Sequence, residues 1–124
     1  MLSRFVVHQH KTGRPHFDLR IICNGILRSW SLLREPPGKG GEKRLAIERE
    51  NFTAVSIKSR TFEEEAFGIG KVRVWDTGDV EIAELSPEYL SLTFHGIKMS
   101  GNYEIHRTEW YPGNRWILTK TKPK

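Results

Sequence analysis

Residues 6–22, VVHQHKTGRPHFDLRII, carry three of the chain's five histidines, two arginines and an aspartate. Imidazoles bind metals or relay protons, a carboxylate ligates or accepts, and a guanidinium forks onto anions. Whether these groups could act together depends on which of them share a face. In HFDLRII a strand's period of two puts His16, Asp18 and Arg20 on one side and Phe17, Leu19 and Ile21 on the other. The apolar side must pack on a core, so the polar side looks at solvent or into a polar cavity. In the preceding FVVHQH, His8 and His10 also share a face, and KTGRP lets the chain turn so that His10 can approach His16.

Two imidazoles and one carboxylate suit a divalent transition ion better than calcium or magnesium. Three protein ligands leave coordination positions open, which a catalytic ion needs. Arg20, on the same face as Asp18, could hold phosphate oxygens beside such an ion, a combination that fits metal-assisted phosphoryl chemistry. The residues alone leave a second reading open: the wet side of a half-buried strand, with Asp18 paired to Arg20 across solvent. His95 and His106 stand singly near turns and read as surface histidines. Trp30, Trp75, Trp110 and Trp116 lie on strand-like stretches and read first as packing residues.

The elements that must position these groups are short and extended. FVVHQH (5–10) and HFDLRIIC (16–23) read as strands, Asn24-Gly25 as a tight hairpin turn, and ILRSWSLLR (26–34) as the returning strand. EPPGKGGEK (35–43) is a loop by composition, KRLAIE (43–48) a strand, NFTAVSIKS (51–59) an extended run, and FEEEAFGIG (62–70) a loop. KVRVWD, Thr77-Gly78 and DVEIAEL predict a second hairpin over 71–85. YLSLTFHG (89–96), IKMSGNYEIHRTEW (97–110), the turn YPGN and RWILTK (115–120) complete the set, with 86–90 the one place where a helical turn fits. Many short strands divided by turn signals predict an all-β barrel or sandwich.

With 124 residues and no internal repeat, one domain over 1–124 is expected. No apolar run approaches the roughly 18 residues of a membrane span, and no signal peptide is recognisable. The single cysteine, Cys23, excludes an internal disulfide, which fits a reducing compartment or an indifferent one; a cytoplasmic location and a monomer are expected. A net charge of +5, with lysines such as Lys39 and Lys43 in a loop, agrees with a polyanionic partner.

From Phe5-Val6-Val7 through His10, His16-Phe17-Asp18-Leu19-Arg20, Gly25 and Arg28-Ser29-Trp30, the sequence resembles the 3′-phosphoesterase domain of bacterial and archaeal DNA ligase D. The similarity continues through Lys43-Arg44-Leu45-Ala46, Gly68-Ile69-Gly70, Val74-Trp75-Asp76-Thr77-Gly78 and Leu92-Thr93-Phe94-His95-Gly96, and ends at Arg115-Trp116-Ile117-Leu118-Thr119-Lys120. The resemblance implies a small closed β-barrel of about eight antiparallel strands with a polar active-site cavity. It makes His10, His16 and Asp18 the ligands of a metal, typically manganese, and Arg20 a phosphate ligand. Arg44 matches a second phosphate-handling arginine, and Arg34 falls where the family has a functional lysine. One stretch departs from the family. Phe52 stands at a phosphate-contacting histidine and Ser56 at a tyrosine, and Glu63-Glu64-Glu65 replaces Pro-Glu-Gly. A phenyl ring neither donates to phosphate nor transfers a proton.

Three functions compete on this basis. The first is a stand-alone manganese-dependent phosphoesterase acting on DNA or RNA 3′ ends in break repair by end joining. It would release a terminal 3′ ribonucleoside and then remove the 3′-phosphate. The second, which Phe52 favours, is a non-catalytic or weakly active metal- and phosphate-binding module that presents 3′ ends to a separate ligase or polymerase. The third, a basic barrel using its aromatics on single strands without metal, needs the His/Asp/Arg face to be accidental.

Overall fold

The computed structural model describes residues 1–11, 13–51, 61–65, 71–110 and 113–122. The extended run expected at 51–59 falls, after Asn51, outside the described residues, as do Phe52, Ser56 and the glycines of 66–70.

Eight antiparallel strands close into a barrel: β1 (Leu2–His10), β2 (His16–Cys23), β3 (Ile26–Leu32), β4 (Lys43–Glu48), β5 (Val72–Leu85), β6 (Tyr89–His95), β7 (Ser100–Arg107) and β8 (Arg115–Lys120). Around the wall they run β1-β2-β3-β4-β8-β7-β6-β5, and β5 closes onto β1. Closure removes exposed sheet edges. The β2–β3 hairpin turns at Asn24 and Gly25, both at positive φ (50° and 78°), the conformation that suits a two-residue turn. Among the described residues no helix is long and apolar enough to cross a membrane.

Alternation sorts each strand into an inner and an outer row. Phe5, Val7, Leu19, Ile21, Trp30, Leu32, Trp116 and Leu118 belong to one core cluster to which all eight strands contribute. Burying each such side chain stabilises the fold by about 1.5–3 kcal/mol. Arg28 closes part of this interior, with its guanidinium 5.0 Å from the Trp30 ring, 5.2 Å from Trp116 and 3.0 Å from Glu48 Oε2. The complementary row faces outward. On β1–β3, Val6, Ile22 and Leu27 form a second apolar cluster with Phe62.

Two sequence expectations are corrected. Thr77-Gly78 does not turn the chain; β5 is one strand of 14 residues that pairs with β1 along its first part and with β6 along its second. The glycine serves close packing instead: a Cβ at Gly78 would stand 2.6 Å from the His95 carbonyl oxygen. An extra residue at Trp75 shifts the β1–β5 register and lets the long strand bend around the wall. The helical turn expected at 86–90 is absent there, since Tyr89 already begins β6, and a 3-10 turn forms at Thr61–Glu63, overlapping the start of the loop expected over 62–70. That turn is clipped to the wall by Glu63, which is 2.7 Å from Arg4 Nη2 and accepts from Thr77 Oγ1 at 2.7 Å. At the other ends of the expected strands, β3 stops at Leu32, and only Ser100–Arg107 of 97–110 is strand.

Candidate metal centre and its arginines

The β1–β2 register sets His10 opposite His16, His8 opposite Asp18 and Val6 opposite Arg20, and β2–β3 pairing sets Asp18 opposite Ser31 and Arg20 opposite Ser29. All are outer-row positions, so the polar site lies on the outside of the barrel wall, across it from the core cluster. The turn at 61–65 packs beside it, because the Glu64 carbonyl accepts from His8 Nε2 at 3.0 Å.

The His10, His16 and Asp18 ligating atoms lie within 4.8 Å of one another. His10 Nε2 is 2.7 Å and His16 Nε2 3.4 Å from the same carboxylate oxygen, Asp18 Oδ2. The two imidazoles stack, with centroids 4.4 Å apart and planes inclined by 9°. His10 Nε2 is buried and lacks the alignment of a hydrogen bond with Asp18, so the atom has no satisfied partner among the described residues. An orphaned, buried imidazole nitrogen is costly unless something ligates it. His16 Nδ1 is 2.9 Å from the Arg14 carbonyl and must donate to it, which fixes the ring with Nε2 turned towards Asp18. Burial pushes the His10 pKa down, partly offset by Asp18, so its ring is neutral and able to ligate at neutral pH. Two imidazoles and a carboxylate around one point fit a divalent transition ion.

Arg20 stands next to this trio. Its Nη2 is 3.3 Å from Asp18 Oδ2, its Nη1 donates to Ser29 Oγ at 3.1 Å, and its Nε donates to His8 Nδ1 at 3.3 Å. His8 must therefore carry its proton on Nε2, and burial followed by the nearby Arg20 charge pushes its pKa down to about 4. A neutral His8 is an acceptor that aims the guanidinium without competing with it. Burial works against the charge of Arg20 and Asp18 supports it.

His16, Asp18 and Arg20 face a cavity of about 380 Å³ whose lining Ser31, Arg49 and Glu50 complete, and His10 stands behind Asp18, outside that lining. Arg34 and Arg44 do not reach it. They line an adjoining cavity that shares Ser31 with the first, and Arg44 Nε donates to the Glu35 carbonyl at 2.7 Å. Four participants were not singled out from the sequence as site residues: His8 as the acceptor for Arg20, Ser29, Ser31 and Arg49. Ser31 donates to Asp18 Oδ1 at 2.6 Å and accepts from Arg49 Nε at 3.0 Å, linking the carboxylate to an arginine at the cavity mouth. Cross-strand register, which the sequence does not print, brings the serines in. The signal for Arg49 was its place three residues before Phe52.

Of the remaining histidines, His95 is exposed and paired with Glu81 at 2.8 Å, away from this face, and His106 stands on β7. Trp30 and Trp116 are core residues, Trp75 packs against the core, and Trp110 is exposed.

A family model described as the DNA ligase D 3′-phosphoesterase domain matches residues 8–107, the stretch that includes the trio and all three arginines named from the resemblance. The multifunctional non-homologous end joining DNA repair protein LigD of Mycobacterium tuberculosis is 31% identical over 128 residues, which cover 97% of this chain and 16% of the relative. The multifunctional non-homologous end joining protein LigD of Pseudomonas aeruginosa is 31% identical over 131 residues, covering 98% of this chain and 15% of the relative. The chain thus spans about a sixth of the length of the curated relatives it matches. With eight strands closed into a barrel and the match running through the residues that gather on its outer wall, the chain belongs to the DNA ligase D 3′-phosphoesterase domain family.

Proposed function

We propose that this chain is a metal-dependent phosphoesterase that processes nucleic-acid 3′ ends in DNA break repair by end joining. The observation that carries the reading is the convergence of His10, His16 and Asp18 around a buried, unsatisfied imidazole nitrogen, with Arg20 held beside them. Manganese or another divalent transition ion held by these three residues would polarise a phosphoryl oxygen. Arg20, pre-aimed by His8 and Ser29, donates to phosphate oxygens and offsets charge that develops as the ester bond breaks. Arg49 stands at the mouth of the same cavity with only its Nε engaged among the described residues, so its terminal nitrogens can take a second phosphate oxygen. That donor answers, in part, for the family histidine replaced by Phe52. The end processed is a DNA or RNA 3′ end, and a separate ligase or polymerase would use the healed end.

The replacement of histidine and tyrosine by Phe52 and Ser56 supports a second reading, a metal- and phosphate-binding module without turnover. A primer with a 3′-phosphate separates the two. The enzyme reading expects manganese-dependent release of phosphate that disappears in Arg20→Ala, and a rise of about tenfold in Phe52→His, the smaller end of what a positioned polar group contributes. Retained primer binding without phosphate release under any divalent transition ion would leave the binding-module reading in place of the enzyme.

A further inference from the structure

The outer wall does not end at the metal-ligand trio. Register places His8, Asp18, Ser31, Ile47 and Arg115 in one outward row across β1, β2, β3, β4 and β8. At the usual strand spacing the stretch from Asp18 to Arg115 covers about 14 Å. Three cavities along it share Ser31 and form a continuous trough. Its floor carries Leu33, Leu45 and Ile47, of which Leu33 is 55% and Leu45 40% exposed. Arg14, Arg34, Arg44, Arg49 and Arg115 line it as well, Arg44 already paired with Glu42 at 3.4 Å, and among the described residues Glu50 is the one carboxylate lining it beyond Asp18.

This composition is unlike a merely solvated face. Several guanidiniums around a confined trough repel one another unless anions lie between them. Arg115 Nε is buried with no hydrogen-bond partner among the described residues, and Arg49 commits only its Nε, to Ser31. Exposed leucines between the arginines call for apolar contact as well. A polymer that alternates phosphates with flat apolar groups satisfies both demands. Duplex DNA turns its phosphates outward and stacks its bases inside, whereas an unpaired stretch offers base faces to an aliphatic floor.

We infer that this trough is the track of an unpaired oligonucleotide whose 3′ end lies at the trio, and that it holds about two to four nucleotides. The inference rests on the proposed function and adds where the rest of the substrate runs. Arg115 and Leu33 become substrate-binding residues remote from the reacting phosphate, and the protein distinguishes an oligonucleotide end from a small phosphate ester by length.

Fluorescence anisotropy with 5′-labelled deoxyoligonucleotides ending in a 3′-phosphate tests it, in manganese and over a range of salt. Affinity should rise about tenfold or more from dinucleotide to tetranucleotide, then level off at the octanucleotide. Arg115→Gln should reduce the slope of log affinity against log salt by about 0.7 on the octanucleotide and leave the dinucleotide unaffected. Leu33→Ser, at an exposed position, should weaken tetranucleotide binding about fourfold without changing that slope. Melting temperatures equal to wild type show that both variants fold. Affinity independent of length, octanucleotide binding indifferent to both variants, or a preference for duplex of equal length would each overturn the track and leave the proposed function standing. Failure of the wild-type protein to bind any of these ends would overturn both.

Discussion

Two buried aspartates on this barrel, Asp76 and Asp18, are alike in burial and opposite in surroundings. Asp76 on β5 accepts four backbone N–H groups: from Thr77 at 3.0 Å, Ile97 at 3.1 Å, Lys98 at 2.9 Å and Met99 at 2.7 Å. It closes the β6–β7 connection, and a Cβ on Gly96 would collide with its carboxylate and with the Phe5 ring. Asp18 is ringed by side chains instead, His10, His16, Arg20 and Ser31, and one of its neighbours is an imidazole nitrogen with no hydrogen-bond partner among the described residues. Backbone donors saturate a carboxylate and fix a loop. Movable side chains that are all potential ligands leave it capacity for a guest. The difference separates a latch from a site, although both residues belong to motifs that carry the family resemblance.

The sharpest way to break this comparison is to remove each carboxylate in turn. Asp18→Ala should lower manganese-dependent phosphatase activity by about a thousandfold or more, because a ligand and the partner of Arg20 are lost together. It should cost the metal-free protein less stability than Asp76→Ala, because Arg20 keeps Ser29 and His8 as acceptors. Asp76→Ala should do the reverse, destabilising the fold by about 3 kcal/mol through orphaned backbone donors while folded molecules keep their metal affinity. Activity and thermal melting on the same two samples check the pair, and equal stability losses would erase the distinction.

A smaller effect concerns the inward-facing side of the wall. Cys23 belongs to the core cluster, and burial pushes its thiol up to about 11 against an ordinary value near 9.0. The charged thiolate is the disfavoured form, so at pH 8 the folded protein should react with iodoacetamide about a hundredfold more slowly than the urea-unfolded chain. The rate in the folded state should keep climbing with pH past 9, where the unfolded chain levels off. Coincident pH profiles would show that the interior is open at this point.

Smaller still is the effect of His8. His8→Leu keeps the volume roughly but removes the acceptor for Arg20 Nε. Misaiming the guanidinium should cost about tenfold in turnover, with manganese affinity unchanged. A loss of metal binding in this variant would make His8 a ligand rather than a positioning residue.

Much of the architecture was legible because one rule, alternation with an apolar inner row, governs every strand. The bounds read for HFDLRIIC, KRLAIE and RWILTK agree with β2, β4 and β8. Where a residue's role depends on distant chain, the rule ran out. Thr77-Gly78 has local turn chemistry, yet its glycine answers to the backbone of His95, and nothing nearby in sequence announces that contact. Glu63 lies in a stretch read simply as a loop, yet it anchors a turn through Arg4, 59 residues away in the chain. The gathering of His10, His16 and Asp18 could be read because a short connection joins two adjacent strands. Ser31 and Arg49 could not, since they reach the cavity only through the pairing of β2 with β3 and the course of the chain after β4.

The central claim is that the wall between β1 and β2 holds a metal ion through three named side chains. Calorimetric titration of the metal-free protein with manganese measures this directly, without requiring turnover. One ion should bind per chain, and His10→Ala, His16→Ala and Asp18→Ala should each abolish that binding while the proteins remain folded. Undiminished manganese binding in Asp18→Ala, or none in the folded wild-type protein, would contradict the account.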